Sequence, residues 1–373
     1  MVRYPLGGML SCALQWVIGF QRLGHEVYLV EKGNWENSCY DPKNDVMTDE
    51  CAYGIDVVRE LLSRFGLQDN WCYVDSHGQY HGLSRNRVEE VLRTADIFAD
   101  YGTHGAWLAE AATAGTRIYI DGEPGYRQMA LENGLALGKP LPAYEHFITT
   151  GLNIGTTRSS APTAGIQWLP VPHPVVVDMF HVEDSSPGAP FTTVMNWQSH
   201  PPVVFRGVTY GQKDVEFEKI FTLPTKTRAP LEVAVSGKNA PYERLHKAGW
   251  KVRGAHDVTL TFNSYCNYIA GSRGELSICK QAYVTTSSGW FSDRSGVYLA
   301  SGRPVILQDT GFVDCLPSGR GLLAFGTLEE AVVALESVEQ DFETHSLAAR
   351  ELAWEYLHAP KVIGRMLTQL GLQ

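Results

Sequence analysis

The sequence predicts a two-domain α/β protein whose parallel sheets are covered by helices on both faces. Three observations lead there. Short apolar runs of strand character alternate with stretches of helical periodicity along both halves of the chain. The 373 residues are too many for one ordinary core and suit two. A passage rich in Gly, Ser and Pro, from Thr149 to Pro190, separates the two alternating series.

In the first series, Tyr4-Pro5-Leu6-Gly7-Gly8 reads as a turn. Leu10, Leu14, Val17 and Ile18 then recur at helical spacing, and Gly24 stands where a helix C-terminal glycine belongs. Val27 to Val30 is a short apolar strand ending at Glu31. Loop–helix–strand is the tail of a βαβ unit, yet no strand precedes the loop. Either the chain starts downstream of its first strand, or Met1 to Tyr4 is the remnant. Tyr53 to Phe65 and Arg87 to Leu92 read as helices, as does the alanine-rich stretch before Gly115. Ala95 to Ala99 and Arg117 to Ile120 read as strands, the second ending in Asp121-Gly122-Glu123-Pro124-Gly125.

The domain boundary is placed near Asp184-Ser185-Ser186-Pro187-Gly188, giving domains 1–184 and 185–356 and a terminal segment 357–373. Beyond it, Thr192 to Met195, Leu231 to Val235, Gln281 to Thr285, Pro304 to Gln308 and Gly321 to Phe325 read as strands. Thr327-Leu328-Glu329-Glu330 is a capping box that opens a helix. Two further helices close the chain, broken at Pro360.

Composition narrows the function. Apolar and charged fractions of 44% and 19% are those of a globular protein. A formal charge of −10 argues against a nucleic-acid partner, which calls for a basic face. No apolar run approaches the roughly 20 residues of a membrane span, and no signal peptide opens the sequence. The seven cysteines are scattered, with no CxxC or Cys/His pair at ligand spacing. They read as reduced thiols of a cytoplasmic protein, and no metal site or cofactor is expected.

In a doubly wound sheet, ligands bind beyond the carboxyl ends of the strands, where helix N-termini offer free amides. The richest candidate is Ser288 to Ser295. There Ser292 or Asp293 would cap a helix, and Arg294 and Ser295 would add a cation and a hydroxyl for a diphosphate. An ordinary capped helix explains the same residues. Asp309, Thr310 and Gly311 follow an apolar strand, as either a sugar-binding loop or a plain turn. Lys213, in Gly211-Gln212-Lys213-Asp214, reads as either a phosphate counter-charge or a solvated surface lysine, with Asn196-Trp197 ending an earlier strand. Arg273-Gly274-Glu275 and Lys280 flank another strand of this half. In the first half, Gly7-Gly8 opens a helix whose amides would point into an interdomain cleft. His104, Asp121 and Glu123 close strands and are the candidate acid–base residues.

Ser288 to Phe312, SGWFSDRSGVYLASGRPVILQDTGF, resembles bacterial GT-B glycosyltransferases of the family 1/4 type. So do PLGGM with GFQRLGHEVYLVEK after it, RIYIDGEPG, the GLNIG turn at Gly151 to Gly155, Asn196-Trp197, and YGQKD at Tyr210 to Asp214. The resemblance implies two Rossmann-like domains facing across a cleft, with the last helix returning to the N-terminal domain. It also implies an acceptor on the N-terminal side and a nucleotide sugar on the C-terminal side, with Lys213, Glu275, Asp293, Arg294 and Ser295 facing the donor. Retaining members carry paired glutamates before a GxPVI-like strand; here Gly289 and Val297 stand at those places, so the stereochemical course does not carry over.

The expected reaction is therefore direct displacement at an anomeric carbon. His104, Asp121 or Glu123 would take the acceptor proton, and protein cations rather than a metal would meet the leaving diphosphate. Trp35, Tyr40 and Trp71 offer either an aromatic acceptor wall or core. Three rivals stand beside this reading. One is a nicotinamide-dependent dehydrogenase, with Glu31 on a ribose but no full GxGxxG. The others are a nucleotide-sugar epimerase and a non-catalytic nucleotide-sugar-binding protein.

Overall fold

A computed structural model describes all residues except Asn34, Lys238 and Gln373. The N-terminal half opens with helix α1 (Gly7–Arg22) and strand β1 (Leu29–Lys32). Helix α2 (Ala52–Ser63), strands β2 (Trp71–Val74) and β3 (Tyr80–Gly82) and helix α3 (Arg85–Thr94) follow. Then come β4 (Ile97–Tyr101), β5 (Thr116–Asp121), helix α4 (Tyr126–Ala136), β6 (His146–Thr149) and β7 (Trp168–Pro170). These strands form two sheets. In β1-β2-β3 the first pair is parallel and the second antiparallel, and β4-β5-β6-β7 is parallel throughout.

The C-terminal half has one sheet of six parallel strands. Its elements are β8 (Phe191–Asn196), helix α5 (Lys213–Phe217), β9 (Leu231–Ser236), β10 (Lys251–Gly254), helix α6 (Phe262–Ala270) and β11 (Gly274–Ser277). Helix α7 (Asp293–Ala300), β12 (Val305–Gln308), β13 (Leu322–Phe325) and helix α8 (Leu328–Gln340) follow. The strand order is β10-β9-β8-β11-β12-β13, and the chain reverses direction across the sheet between β8 and β11. Crevices at such reversals hold ligands in open α/β sheets. Thr327 and Glu330 make the capping box expected at the start of α8.

The last helix, α9 (Ala359–Leu370), lies against α1. The contact is close because Gly19 has no side chain: a Cβ there would sit 2.5 Å from Ile363 Cδ1 and 3.0 Å from Ala359 Cβ. Leu10 and Leu14 of α1, Tyr265 of α6, Tyr298 of α7 and Ile363 of α9 belong to a single apolar cluster that joins the two halves. No helix among the described residues is long and apolar enough to cross a membrane.

Three expectations need correction. Gln281 to Thr285 is a short helix, and the strand of that region is β11, upstream. Burial of Ala282 and Tyr283 overrides the β-forming composition of the helix, while Glu275 inside β11 hides the strand's apolar character. The alanine-rich stretch before Gly115 is a series of turns, closed mainly by amides that donate to the carbonyl three residues back, as Leu108 does to Gly105 and Ala114 to Ala111 (3.1 Å each). Met1 to Tyr4 forms no strand. The Val2 and Arg3 amides instead donate to the Glu31 carboxylate (2.7 and 3.2 Å), and β1 and β4 each pair on one side only.

Gly19→Leu is expected to drive α1 and α9 apart and cost about 1–3 kcal/mol in denaturant unfolding. Gly364→Ala, on α9 with nothing nearer its added Cβ than Leu23 Cδ2 at 4.0 Å, is expected to gain about 0.5–1 kcal/mol. Equal effects of the two changes would contradict the close α1–α9 contact.

Candidate functional site

The two halves enclose a cleft of about 1740 Å³. It is lined from the N-terminal side by Gly8, His104, Asp121 and Glu123, and from the C-terminal side by Asn196, Lys213, Lys280, Asp293 and Arg294. The fold brings these nine sequence candidates to one cavity. Gly7 is buried just behind it, where an added Cβ would meet Tyr265 Cβ at 2.4 Å and the Thr261 carbonyl at 2.5 Å. This close approach sets the start of α1 against α6. No side chain caps α1, so its first amides remain open towards the cleft.

Arg294 organises the C-terminal wall. Ser292 caps α7 by accepting from the Arg294 amide (3.2 Å). The guanidinium then donates to Glu275 Oε1 (2.6 Å), the Val194 carbonyl (2.8 Å) and Ser277 Oγ (2.5 Å). Burial works against its charge, but Glu275 beside it raises its pKa above the ordinary arginine value. The ion pair removes Glu275 from ligand reach: the side chain is fully buried behind Arg294. Ser295 is also fully buried and contributes no hydroxyl to the cleft.

Lys213 lies at the other extreme. Only 7% exposed at the first position of α5, it makes no hydrogen bond or ion pair among the described residues, yet it lines the cleft. Burial, and then the Arg294 charge, bring its pKa down to about 7. It is a cation held without a counter-ion.

The candidate bases fare differently. Asp121 is 2% exposed, and its oxygens accept from Gln128 Nε2, Thr149 Oγ1 and the Glu123 amide (2.8 Å each). Burial raises its pKa, and three donors already hold the carboxylate, two on Oδ2 and one on Oδ1. Glu123 accepts from Lys280 Nζ through both oxygens (2.6 Å) and from the Tyr283 hydroxyl. Burial opposes its charge, but Lys280 and the neighbouring donors outweigh that and hold its pKa at about 2, too low for a base. The same pair occupies Lys280. His104 is exposed with a left-handed backbone (φ 51°), and Nδ1 meets the Tyr119 hydroxyl at 3.5 Å. Its pKa is lowered, first by the desolvation that the surrounding groups impose on the ring and then by the Arg127 charge. Nε2 makes no hydrogen bond among the described residues.

Other expectations separate from the cleft. Asp309 accepts from the Gly311 amide (2.7 Å), Thr310 donates to the Trp290 carbonyl (2.6 Å), and the Gly311 carbonyl accepts from Asn153 Nδ2 (2.9 Å). This loop is a turn locked against Gly151 to Gly155, outside the cleft lining. Trp71 is core at 2% exposure, while Trp35 lines the cleft beneath the Arg3 guanidinium, 3.9 Å from the ring centroid. Glu31 binds backbone amides where a dinucleotide site would present it to a ribose. The sequence reading missed Cys12, Tyr101, His173 and Tyr265, which line the same cavity beside Asp293. Cys12 stands four positions after Gly8 on the cleft face of α1, a spacing that marks it.

No protein-family model matches the sequence, and no curated protein matches it. Solved structures do. HepE from Anabaena, in complex with UDP and glucose, gives a TM-score of 0.51 at 9% identity, over 93% of this chain and 100% of that one. The chain has the GT-B fold. The same Anabaena protein with UDP-glucose gives 0.50 at 10% identity, over 92% and 99%. TarM gives 0.48 at 10% identity over 79% of this chain, which spans 59% of TarM's length. Within this fold, the cleft described above lies between two Rossmann-like domains, and α9 returns to the first.

The lysine's environment has a measurable consequence. A pKa lowered from the unfolded value means that the penalty of burying the charge is fully present below pH 7 and is relieved as pH rises towards 10. Lys213→Met is therefore expected to stabilise the protein at pH 6 by on the order of 2–5 kcal/mol. Urea midpoints should show that gain shrinking by roughly half at pH 9. A gain independent of pH would mean that the lysine is not buried as a charge.

Proposed function

We propose that the chain is a glycosyltransferase that moves a sugar from a nucleoside-diphosphate sugar to an acceptor hydroxyl. Residues 1–184 would present the acceptor and residues 185–356 the donor. The observation that carries this reading is Lys213, a buried, unpaired cation facing a cleft at the topological reversal of a parallel sheet. A free protein tolerates such a charge at a cost, and a bound diphosphate would compensate it. The HepE structures hold UDP or UDP-glucose on the same fold, which supports the donor class.

In this mechanism the acceptor oxygen attacks the anomeric carbon as the bond to the diphosphate oxygen breaks. The acceptor proton passes to neutral His104 Nε2, since Asp121 and Glu123 are engaged. The electron pair leaves on the diphosphate, where Lys213, Arg294 and the open amides of α1 meet the growing charge. The cations are the protein's own, so transfer needs no divalent metal. Seven unpaired cysteines support a reducing, cytoplasmic setting. The engagement of both carboxylates favours one other reading, a protein that binds a nucleotide sugar without turning it over.

Calorimetry with UDP tests the donor site. Binding should weaken at least tenfold in Lys213→Ala and, at pH 8, take up as much as about one proton as the diphosphate raises the lysine's pKa. No binding of any nucleoside diphosphate, or binding indifferent to Lys213, would overturn the proposal. His104→Ala should leave UDP affinity unchanged and lower kcat by about 10²–10⁴-fold. UDP binding without transfer or donor hydrolysis in the wild type would select the non-catalytic reading.

A further inference from the structure

Outside the cleft lining, three side chains with metal-ligand chemistry converge. Cys51 is the N-cap residue of α2, Asp75 follows β2, and His81 lies in β3. Their Sγ, carboxylate oxygen and ring nitrogen all lie within 4.8 Å of one another. His81 Nε2 is 2.9 Å from Asp75 Oδ2 and 3.8 Å from Cys51 Sγ. A tetrahedral zinc ion with bonds of about 2.3 Å to sulfur and 2.0–2.1 Å to nitrogen and oxygen sets N···O near roughly 3.3 Å and N···S near roughly 3.6 Å. The cluster matches both separations to within about half an ångström.

The arrangement also tells a ligand set from a nucleophile. In a Cys–His–Asp relay the acid and the thiol sit on opposite ring nitrogens, so that one orients the base and the other gives up its proton. Here both meet the same nitrogen, Nε2. Thiol and carboxylate gathered about one ring nitrogen have the arrangement of a coordination set, not of a relay. The supporting contacts agree: Asp75 Oδ1 is held by the His77 and Gln79 amides (2.9 Å each), which fixes the carboxylate and leaves Oδ2 turned to the cluster. Cys51 and Asp75 are buried, and His81 is 21% exposed, which gives solvent access.

We propose that Cys51, Asp75 and His81 bind a divalent cation of the zinc class, with water as the fourth ligand. The site would pin the start of α2 to the β2–β3 hairpin. On binding, the Cys51 thiol releases its proton to solvent. The His81 ring keeps its proton on Nδ1, so that the Nε2 lone pair, the thiolate and the carboxylate each form one bond to the metal. Thiolate and carboxylate balance the cation's two charges. The sequence concealed the set because Cys51 and Asp75 stand 30 and 6 positions before His81, with no CxxC or HxxxH to announce it.

The test uses the full chain, stripped with a chelator and titrated with cobalt(II) and then zinc(II). One equivalent of cobalt should bind, with a thiolate-to-metal charge-transfer band in the near ultraviolet that zinc abolishes, and zinc should raise Tm. Cys51→Ser should remove the band, and Asp75→Asn and His81→Asn should each weaken zinc binding at least tenfold. Absence of the band in the wild type would overturn the proposal whatever the variants do. So would a band and stoichiometry unchanged in His81→Asn, which would place the metal on another of the seven cysteines.

Discussion

Arg294 touches three points of the C-terminal sheet at once, and what the cleft offers follows from that attachment. By donating to Val194 on β8 and to Glu275 and Ser277 on β11, it fixes the start of α7 over the strands where the chain reverses direction. It also engages Glu275, one of the groups whose charge acts on Lys213. Lys213, at the cavity wall, is left with no ion-pair partner among the described residues. Breaking the ion pair would strand Glu275 without a partner, a loss typically of about 3–5 kcal/mol. The pair is therefore a structural support of the site as much as a part of it.

The halves are held together by two kinds of contact. Beside α1, the apolar cluster of α6, α7 and α9 is continuous and non-directional, so it resists separation. Across the cleft, the attachments are polar: Glu123 with Lys280, and Asn153 with the Ser287 and Gly311 carbonyls. The Glu123–Lys280 contact stabilises at neutral pH and weakens as pH falls from the unfolded glutamate value towards about 2, because the folded pKa is the depressed one.

The alternating strands and helices of both halves were legible in the sequence because each carries its own periodicity, as in Arg117 to Ile120 or Leu231 to Val235. Strand β11 was not, since a glutamate in its middle makes sense only once Arg294 is known to lie against it. The cleft residues were found by position: strand ends and helix starts are where such a fold puts ligands, which is how Lys213, His104 and Asp293 were reached. Their states were not readable. Nothing in the local sequence distinguishes a carboxylate such as Glu123, neutralised by a lysine 157 positions away, from a free one. The Asp309 to Gly311 turn shows the same limit, because its partner Asn153 belongs to the other half of the chain.

The divided N-terminal sheet has a mechanical consequence. The C-terminal half carries six strands in one unbroken ladder, so bending it means stretching hydrogen bonds in series. In the N-terminal half, the inner edges of β1 and β4 share no such ladder, and the exposed Ala99 lies in the middle of β4. Lys32 reaches from the end of β1 to the Ala106 carbonyl (2.9 Å) and Glu110 (2.6 Å), a side-chain staple where a neighbouring strand would be stiff.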